Sequence, residues 1–266
     1  MHPIINIATR AAREASRILM HSFETRDSLE VTDKGFNDFV SEVDQIAEQV
    51  IIRELRRAYP HHGILGEEGG QDGEGDEYQW VIDPLDGTTN YLHGFPQFSI
   101  SIALRVRGRV EHGLVYDPLR DELFTASRGA GALLNNRRLR VTARQGLKGA
   151  LLGTGFPFRD HTHLDTYLKM FKSLLRDTAG IRRPGSAALD LAYVACGRLD
   201  GFWELGLAEW DFAAGILLIQ EAGGLVTDLA GGDRYFETGN LVVGGPRVHQ
   251  AMLKLIQPCL DEHLGA

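Results

Sequence analysis

In the stretch WVIDPLDGTTN, residues 80 to 90, Asp83 and Asp86 stand three residues apart where an apolar run meets a turn. Trp80 to Ile82 reads as a buried strand, Asp83 and Pro84 end it, Gly87 allows a tight turn, and Thr88, Thr89 and Asn90 suit the start of a helix. Two carboxylates therefore lie beside backbone N–H groups that could face an anion. Aspartate is a hard oxygen ligand, and a pair of them at an anion-binding turn is what magnesium-assisted phosphate chemistry requires. The metal would supply the positive charge that an acidic chain lacks. Taken alone, the pair is explained equally well as turn capping. A covalent aspartyl-phosphate route is disfavoured, because its DxDGT motif places the second carboxylate one residue closer than the DxxDGT found here.

Three further acidic sites bear on the choice. Glu67 and Glu68 follow a short apolar segment at Gly63 to Gly66, Asp44 lies in the first turn of an expected helix, and Asp211 in EWDFAAG starts a strongly apolar helix ending at Gly223 and Gly224. Each has an ordinary explanation of its own: a solvated loop, a favourable helix-dipole charge, and an N-cap.

Taken together, DFVSEVD (38–44), GEEGG (66–70), WVIDPLDGTTN, GSAALDLAYVACG (185–197) and EWDFAAGILLIQEAGG (209–224) resemble, in order and spacing, the inositol monophosphatase family over essentially the whole chain. MHPIINIATRAAR and YDPLRDELFTASRGAGA are similar to its bacterial SuhB-type branch. The resemblance implies an α/β fold: a layered αβαβα sandwich of the inositol monophosphatase/fructose bisphosphatase type, with the site between two lobes. It further implies Mg²⁺ held by Glu67, Asp83, Asp86, Asp211 and the backbone carbonyl of Leu85. Glu67 is carried over rather than Glu68 as the first glutamate of GEE. Asp44, Thr88 and Glu67 are the implied catalytic residues, with Asp44 and Thr88 orienting the attacking water. Gly87 and Thr88 are implied to contact phosphate, Glu204 the substrate hydroxyls, and Ala187 lies beside that pocket. Lithium sensitivity and a homodimer are implied as well. Lys34 precedes DFVSEVD at an interval one residue short of the family's mobile-loop lysine.

The chemistry agrees with that assignment. Mg²⁺ takes near-octahedral oxygen coordination, so carboxylates from several segments are expected without His or Cys ligands. Two ions about 4 Å apart could activate water and neutralise a leaving oxygen, and no protein nucleophile is needed. Ser99 and Ser101 have no nucleophile-elbow motif around them, and His61, His62, His93 and His112 read as surface or turn residues.

The elements that must position these groups follow from periodicity. Ile4, Ile7, Ala8, Ala11, Ala15, Ile18 and Leu19 recur at helical spacing, and so do Val43, Ile46, Ala47, Val50, Ile51 and Leu55 in a helix from Ser41 to Tyr59, stopped by Pro60. Between the two helices lies a short polar stretch, and EEGGQDGEGDE (67–77) alone reads as a solvated loop. Residues 98–106, Val110 to Asp117 and Glu122 to Ala126 predict an antiparallel meander. Near residue 145 the pattern changes: apolar runs at Ala150 to Thr154, Gly201 to Leu205, Leu225 to Asp228 and Leu241 to Val243 alternate with helical stretches at 163–176, 186–196, 211–222 and 247–257. An α+β N-terminal lobe (1–145) and an α/β C-terminal lobe (146–266), sharing an extensive interface as one compact unit, are expected.

The chain of 266 residues is 43% hydrophobic and 24% charged, with 28 basic against 36 acidic residues and a net charge of −8. Direct nucleic-acid binding is therefore not expected, and no apolar run approaches the roughly 18 residues of a membrane span. Cys196 and Cys259, both in apolar stretches, suit a reducing, cytoplasmic setting rather than a disulfide framework.

The expected function is Mg²⁺-dependent hydrolysis of a small phosphate monoester, with myo-inositol 1-phosphate the leading substrate. Fructose bisphosphatases and nucleotide 3'-phosphatases share DPLDG, whereas TTN at 88–90 favours the monophosphatase branch. Histidinol phosphate, sugar phosphates and glycerol 2-phosphate remain open. A different class also stands: a regulatory binding protein of the transcription and ribosomal RNA synthesis machinery with a retained phosphatase site, which the SuhB-type resemblance implies.

Overall fold

The computed structural model describes residues 2–24, 31–35, 38–73, 77–157, 161–261 and 264, with the backbone alone at 31–35 and 38–41. The side chain of Lys34 lies outside that description. Helix α1 (Pro3–Glu24) is followed by a hairpin, β1 (Val31–Gly35) and β2 (Asp38–Ser41), and then helix α2 (Glu42–Ala58). The polar stretch expected after α1 thus contains paired strands, whose ladder depends on backbone groups rather than on apolar alternation.

An eight-stranded sheet follows, built from β3 (Gly63–Gly66), β4 (Gly70–Asp72), β5 (Tyr78–Asp86), β6 (Ser99–Val106), β7 (Arg109–Asp117), β8 (Glu122–Ser127), β9 (Gly131–Leu134) and β10 (Arg137–Arg138), with short helix α3 (Thr88–Leu92) between β5 and β6. Its order is β10-β9-β8-β7-β6-β5-β3-β4. The expected meander is present from β5 to β10, and only β3–β5 is a parallel pair. Two expectations are corrected here. Part of the 67–77 segment is edge strand β4, paired with β3. β5 does not end at Asp83 but reaches Asp86 through an irregularity in its pairing with β6, which accommodates Pro84, a residue with no N–H to give a ladder.

The rest of the chain forms a five-stranded sheet, order β12-β11-β13-β15-β14: β11 (Leu151–Thr154), β12 (Gly180–Arg182), β13 (Gly201–Glu204), β14 (Leu225–Thr227) and β15 (Leu241–Gly244). Its helices are α4 (Leu164–Leu175), α5 (Ala187–Ala195), α6 (Glu209–Glu221), α7 (Tyr235–Thr238) and α8 (Pro246–Ile256).

Side-chain alternation assigns the layers. Trp80 and Ile82 face α1 and α2, packing with Ala11, Leu19, Ala47 and Ile51. Val81, between them, faces the other way into a core with α5 and α6, and that same core takes Phe202 and Val243 from the second sheet. Trp203 and Val242 face outward to Tyr167 and Met170 of α4 and to Val248 and Met252 of α8. The order is helix, sheet, helix, sheet, helix: the expected αβαβα sandwich. α6 lies in the middle layer and is accordingly apolar on every side, with Phe212 to Ile219 all buried. At Gly113 a Cβ would stand 3.0 Å from the α6 backbone at Ala214, so glycine lets the helix seat directly on β7.

Candidate active site

The end of β5 supplies the first carboxylates. The Leu85 N–H donates to Asp83 Oδ1 at 2.9 Å, closing a tight local turn around Pro84. Gly87 has φ of 100°, and a Cβ there would meet the Gln97 carbonyl oxygen at 2.9 Å; the position demands glycine on both counts. Thr88 then opens α3, its hydroxyl donating to the Leu85 carbonyl at 3.0 Å.

Asp86 is gripped by a segment a hundred residues further along. The Ser186 hydroxyl donates to its Oδ2, the Ala188 N–H to Oδ2 at 2.8 Å and the Ala187 N–H to Oδ1 at 3.2 Å, so the first turn of α5 gives its unpaired N–H groups to this side chain. Ser186 precedes α5 as an N-cap would, yet its hydroxyl serves Asp86. Asn90 fastens the same two segments together, its Nδ2 donating to Gln97, Pro184 and Gly185 carbonyls.

Asp211 lies in the first turn of α6, and its Oδ2 accepts the Ala208 N–H at 2.7 Å. Asp211 is thus not the N-cap expected, which is Ala208, but the third residue of the helix, whose carboxylate reaches back to the N-cap N–H. Oxygens of Asp83, Asp86 and Asp211 all lie within 4.8 Å of one another. Burial, then Glu67, Asp86 and Asp211, push the Asp83 carboxyl well above the usual carboxylate range. Burial also raises Asp86, against the pull of its hydrogen bonds. Charge of one sign is concentrated there beyond what neighbouring protein groups offset. Oxygen donors alone, from separate segments, suit a hard divalent cation; Asp83, Asp86 and Asp211 stand close enough to share one, the first two buried and Asp211 partly exposed.

A cleft of about 380 Å³ opens over these groups. Glu67, Asp83, Leu85, Asp86, Gly87, Thr88, Ala187, Glu204 and Asp211 all line it. Asp44 does not: it is buried in α2, 2% exposed, where its charge acts on the Tyr91 phenol, whose hydroxyl donates to the Leu19 carbonyl. Thr154, Arg183, Ser186 and Asp190 also line the cleft and were not singled out from the sequence. GSAALD carried a signal for two of them, since a serine and an aspartate flank the first turn of a helix, but capping is the ordinary meaning of that pattern. His112 was misjudged as a surface residue: it is half-buried on β7, stacked on His2 and bonded to Ser127.

Comparison with known proteins agrees with this geometry. A description of the inositol monophosphatase family matches residues 1–261. The Nus factor SuhB of Pseudomonas aeruginosa is 58% identical, with 99% of each chain aligned. The extragenic suppressor protein suhB of Bartonella henselae superposes with a TM-score of 0.93 at 44% identity, over 96% of this chain and 99% of that one. The inositol monophosphatase of Anabaena (Nostoc) does so with a TM-score of 0.85 at 40% identity, over 97% and 96%. The aspartate cluster at the strand and helix ends, the layered fold and the full-length likeness lead to one conclusion: this chain belongs to the inositol monophosphatase family.

Proposed function

We propose that the chain is an Mg²⁺-dependent phosphate monoester hydrolase whose preferred substrate is myo-inositol 1-phosphate. The observation that supports this reading is the meeting of Asp83, Asp86 and Asp211 at the wall of one cleft, their oxygens within 4.8 Å of each other. Mg²⁺ bound by them would supply Lewis acidity toward the phosphate and its attacking water. The protein's part is positional. Gly87 and Thr88 would hold phosphate oxygens through backbone N–H groups, and Glu204 would accept a substrate hydroxyl. Asp86, clamped by three donors from the α5 end, cannot swing away from the cluster. Asp44 with Thr88 is assigned to orienting water, with Asp44 acting from behind the wall. The 1–145 and 146–266 segments would act as the two lobes flanking the cleft, in a cytoplasmic homodimer inhibited by lithium. The test is phosphate release from a panel of monoesters, with and without Mg²⁺: inositol phosphate should lead, and activity indifferent to chelator would overturn the metal-dependent reading.

A second reading has its own support in the relative named Nus factor SuhB, which aligns end to end with this chain. A role in a transcription complex would accompany catalysis rather than replace it. Capture of transcription components from extract by the Asp86→Asn protein, equal to that by the parent, would separate the two roles.

A further inference from the structure

Asp190 is a buried acidic group that none of the roles above uses. It lies one turn into α5, three residues after Ala187, so both face the same side of the helix, and both line the cleft. The residue is 2% exposed, and its Oδ1 has no hydrogen-bond partner among the described residues. A buried acceptor left unpaired is destabilising, which marks a place where another group belongs. Burial, then Glu204 and Asp86, push its carboxyl well above the usual range, with Arg183 opposing. The neighbouring wall is shaped to match. Glu204, at the end of β13, lies so close to the backbone after β11 that a Cβ at Gly155 would overlap its carboxylate. Gly155 thus lets Glu204 sit flat against one side of the cleft while Asp190 comes from α5.

We propose that Asp190 is a specificity-determining residue, its carboxyl group forming a hydrogen bond with a hydroxyl of a polyol leaving group beside the one held by Glu204. This rests on the phosphatase reading. Asp86, from the end of β5, and Asp190, from α5, meet at the same end of that helix: its N–H groups hold the first toward the phosphate end, and its side-chain face carries the second toward the alcohol end. A monoester whose alcohol bears adjacent hydroxyls satisfies both carboxyl groups, and an aryl ester satisfies neither.

The experiment compares myo-inositol 1-phosphate with 4-nitrophenyl phosphate on the full chain with Mg²⁺, using Asp190→Asn, which keeps the shape and the hydrogen-bonding capacity, and Asp190→Leu, which keeps the branched outline without any hydrogen-bonding group. In Asp190→Leu the ratio of kcat/KM for the polyol ester to that for the aryl ester should fall about tenfold, the worth of one hydrogen bond, through KM rather than kcat. Asp190→Asn should restore the ratio to within about threefold of the parent. Equal losses on both substrates, an Asn variant as impaired as Leu, or an unchanged ratio, as when Oδ1 merely holds an internal water, would each overturn the proposal. A parent protein that hydrolyses neither ester would overturn the phosphatase reading itself, so the two failures are distinguishable.

Discussion

The chain uses one local device twice and with opposite electrostatics. β5 carries Asp83-Pro84-Leu85 just before its last residue, and β7 ends at Asp117, with Pro118 and Leu119 following. In both turns the aspartate is buried and its Oδ1 accepts the leucine N–H, at 2.9 Å and 3.0 Å. The fourth residue separates them. After Asp117 it is Arg120, whose guanidinium reaches Asp117 Oδ2 at 2.7 Å and neutralises the turn within itself. After Asp83 it is Asp86, with Asp211 beyond, so the turn gathers like charge that a bound cation could balance. The structural turn and the candidate catalytic one share their backbone chemistry; the difference is whether the balancing charge is covalently part of the chain.

The largest effects should come from breaking the cleft member of the pair. Asp86→Asn and Asp211→Asn should each lower turnover by roughly two orders of magnitude or more, the scale of several kcal/mol lost from metal-assisted stabilisation, while circular dichroism stays that of the parent. A folded Asp86→Asn protein with near-normal turnover would remove the metal-dependent mechanism.

The two first aspartates sharpen the comparison directly, because asparagine keeps the acceptor for the leucine N–H in both turns and removes only the charge. Asp117→Asn loses its arginine partner, which is itself 43% exposed, and should destabilise by about 1–2 kcal/mol. Asp83→Asn relieves repulsion from Glu67, Asp86 and Asp211, so its melting temperature in chelator should equal or exceed the parent's. Parallel drops in the two melts would show that the turns differ in nothing electrostatic.

Cation binding should then supply from solution what Arg120 supplies from the chain. Mg²⁺ at a hundredfold excess over Kd should stabilise the parent by about 2.7 kcal/mol, and phosphate should add to this only when Mg²⁺ is present. A four-way melt of chelated protein, Mg²⁺, phosphate and both reads this; equal stabilisation by phosphate with and without metal would place the anion site elsewhere.

The smallest effect belongs to β7 upstream of Asp117. Burial and then His2 push the His112 imidazole down to about 4, with Glu111 opposing. Its contribution is intact above the ordinary histidine value of about 6.5 and is lost as pH falls from there through about 4, because the unfolded chain binds a proton that the native ring refuses. His112→Gln should therefore melt with a shallower pH dependence than the parent between pH 7 and 5, and identical slopes would contradict the assignment.

Most elements could be read from periodicity, since alternation along β6 and the 3.6-residue recurrence in α1 and α2 are local records of which face packs where. Strands β1, β2 and β4 left no such record, because their sequences carry no apolar alternation and their ladders depend on the pairing partner. In the site, Asp83, Asp86 and Asp211 were visible as carboxylates at element ends, and the family resemblance grouped them. Ser186, Asp190 and Thr154 were not, because serine, threonine and aspartate near a helix start or a strand end ordinarily serve their own backbone. The burial of Asp44 and the stacking of His112 on His2 were equally invisible, both depending on neighbours distant in sequence.

The sequence by itself determined the turns: a proline after an aspartate, a glycine at φ 100°, and a helix start three residues on are choices made by sterics within one or two peptide units. Only the tertiary structure decided what those turns face. Arg120 and Asp86 are already the fourth residues of their turns, but Asp211 and the donors of α5 reach this place only through packing. For Asp86 the answer came from α5 and α6, packed between the two sheets and brought to the end of β5 by burial of their apolar surfaces on both sides.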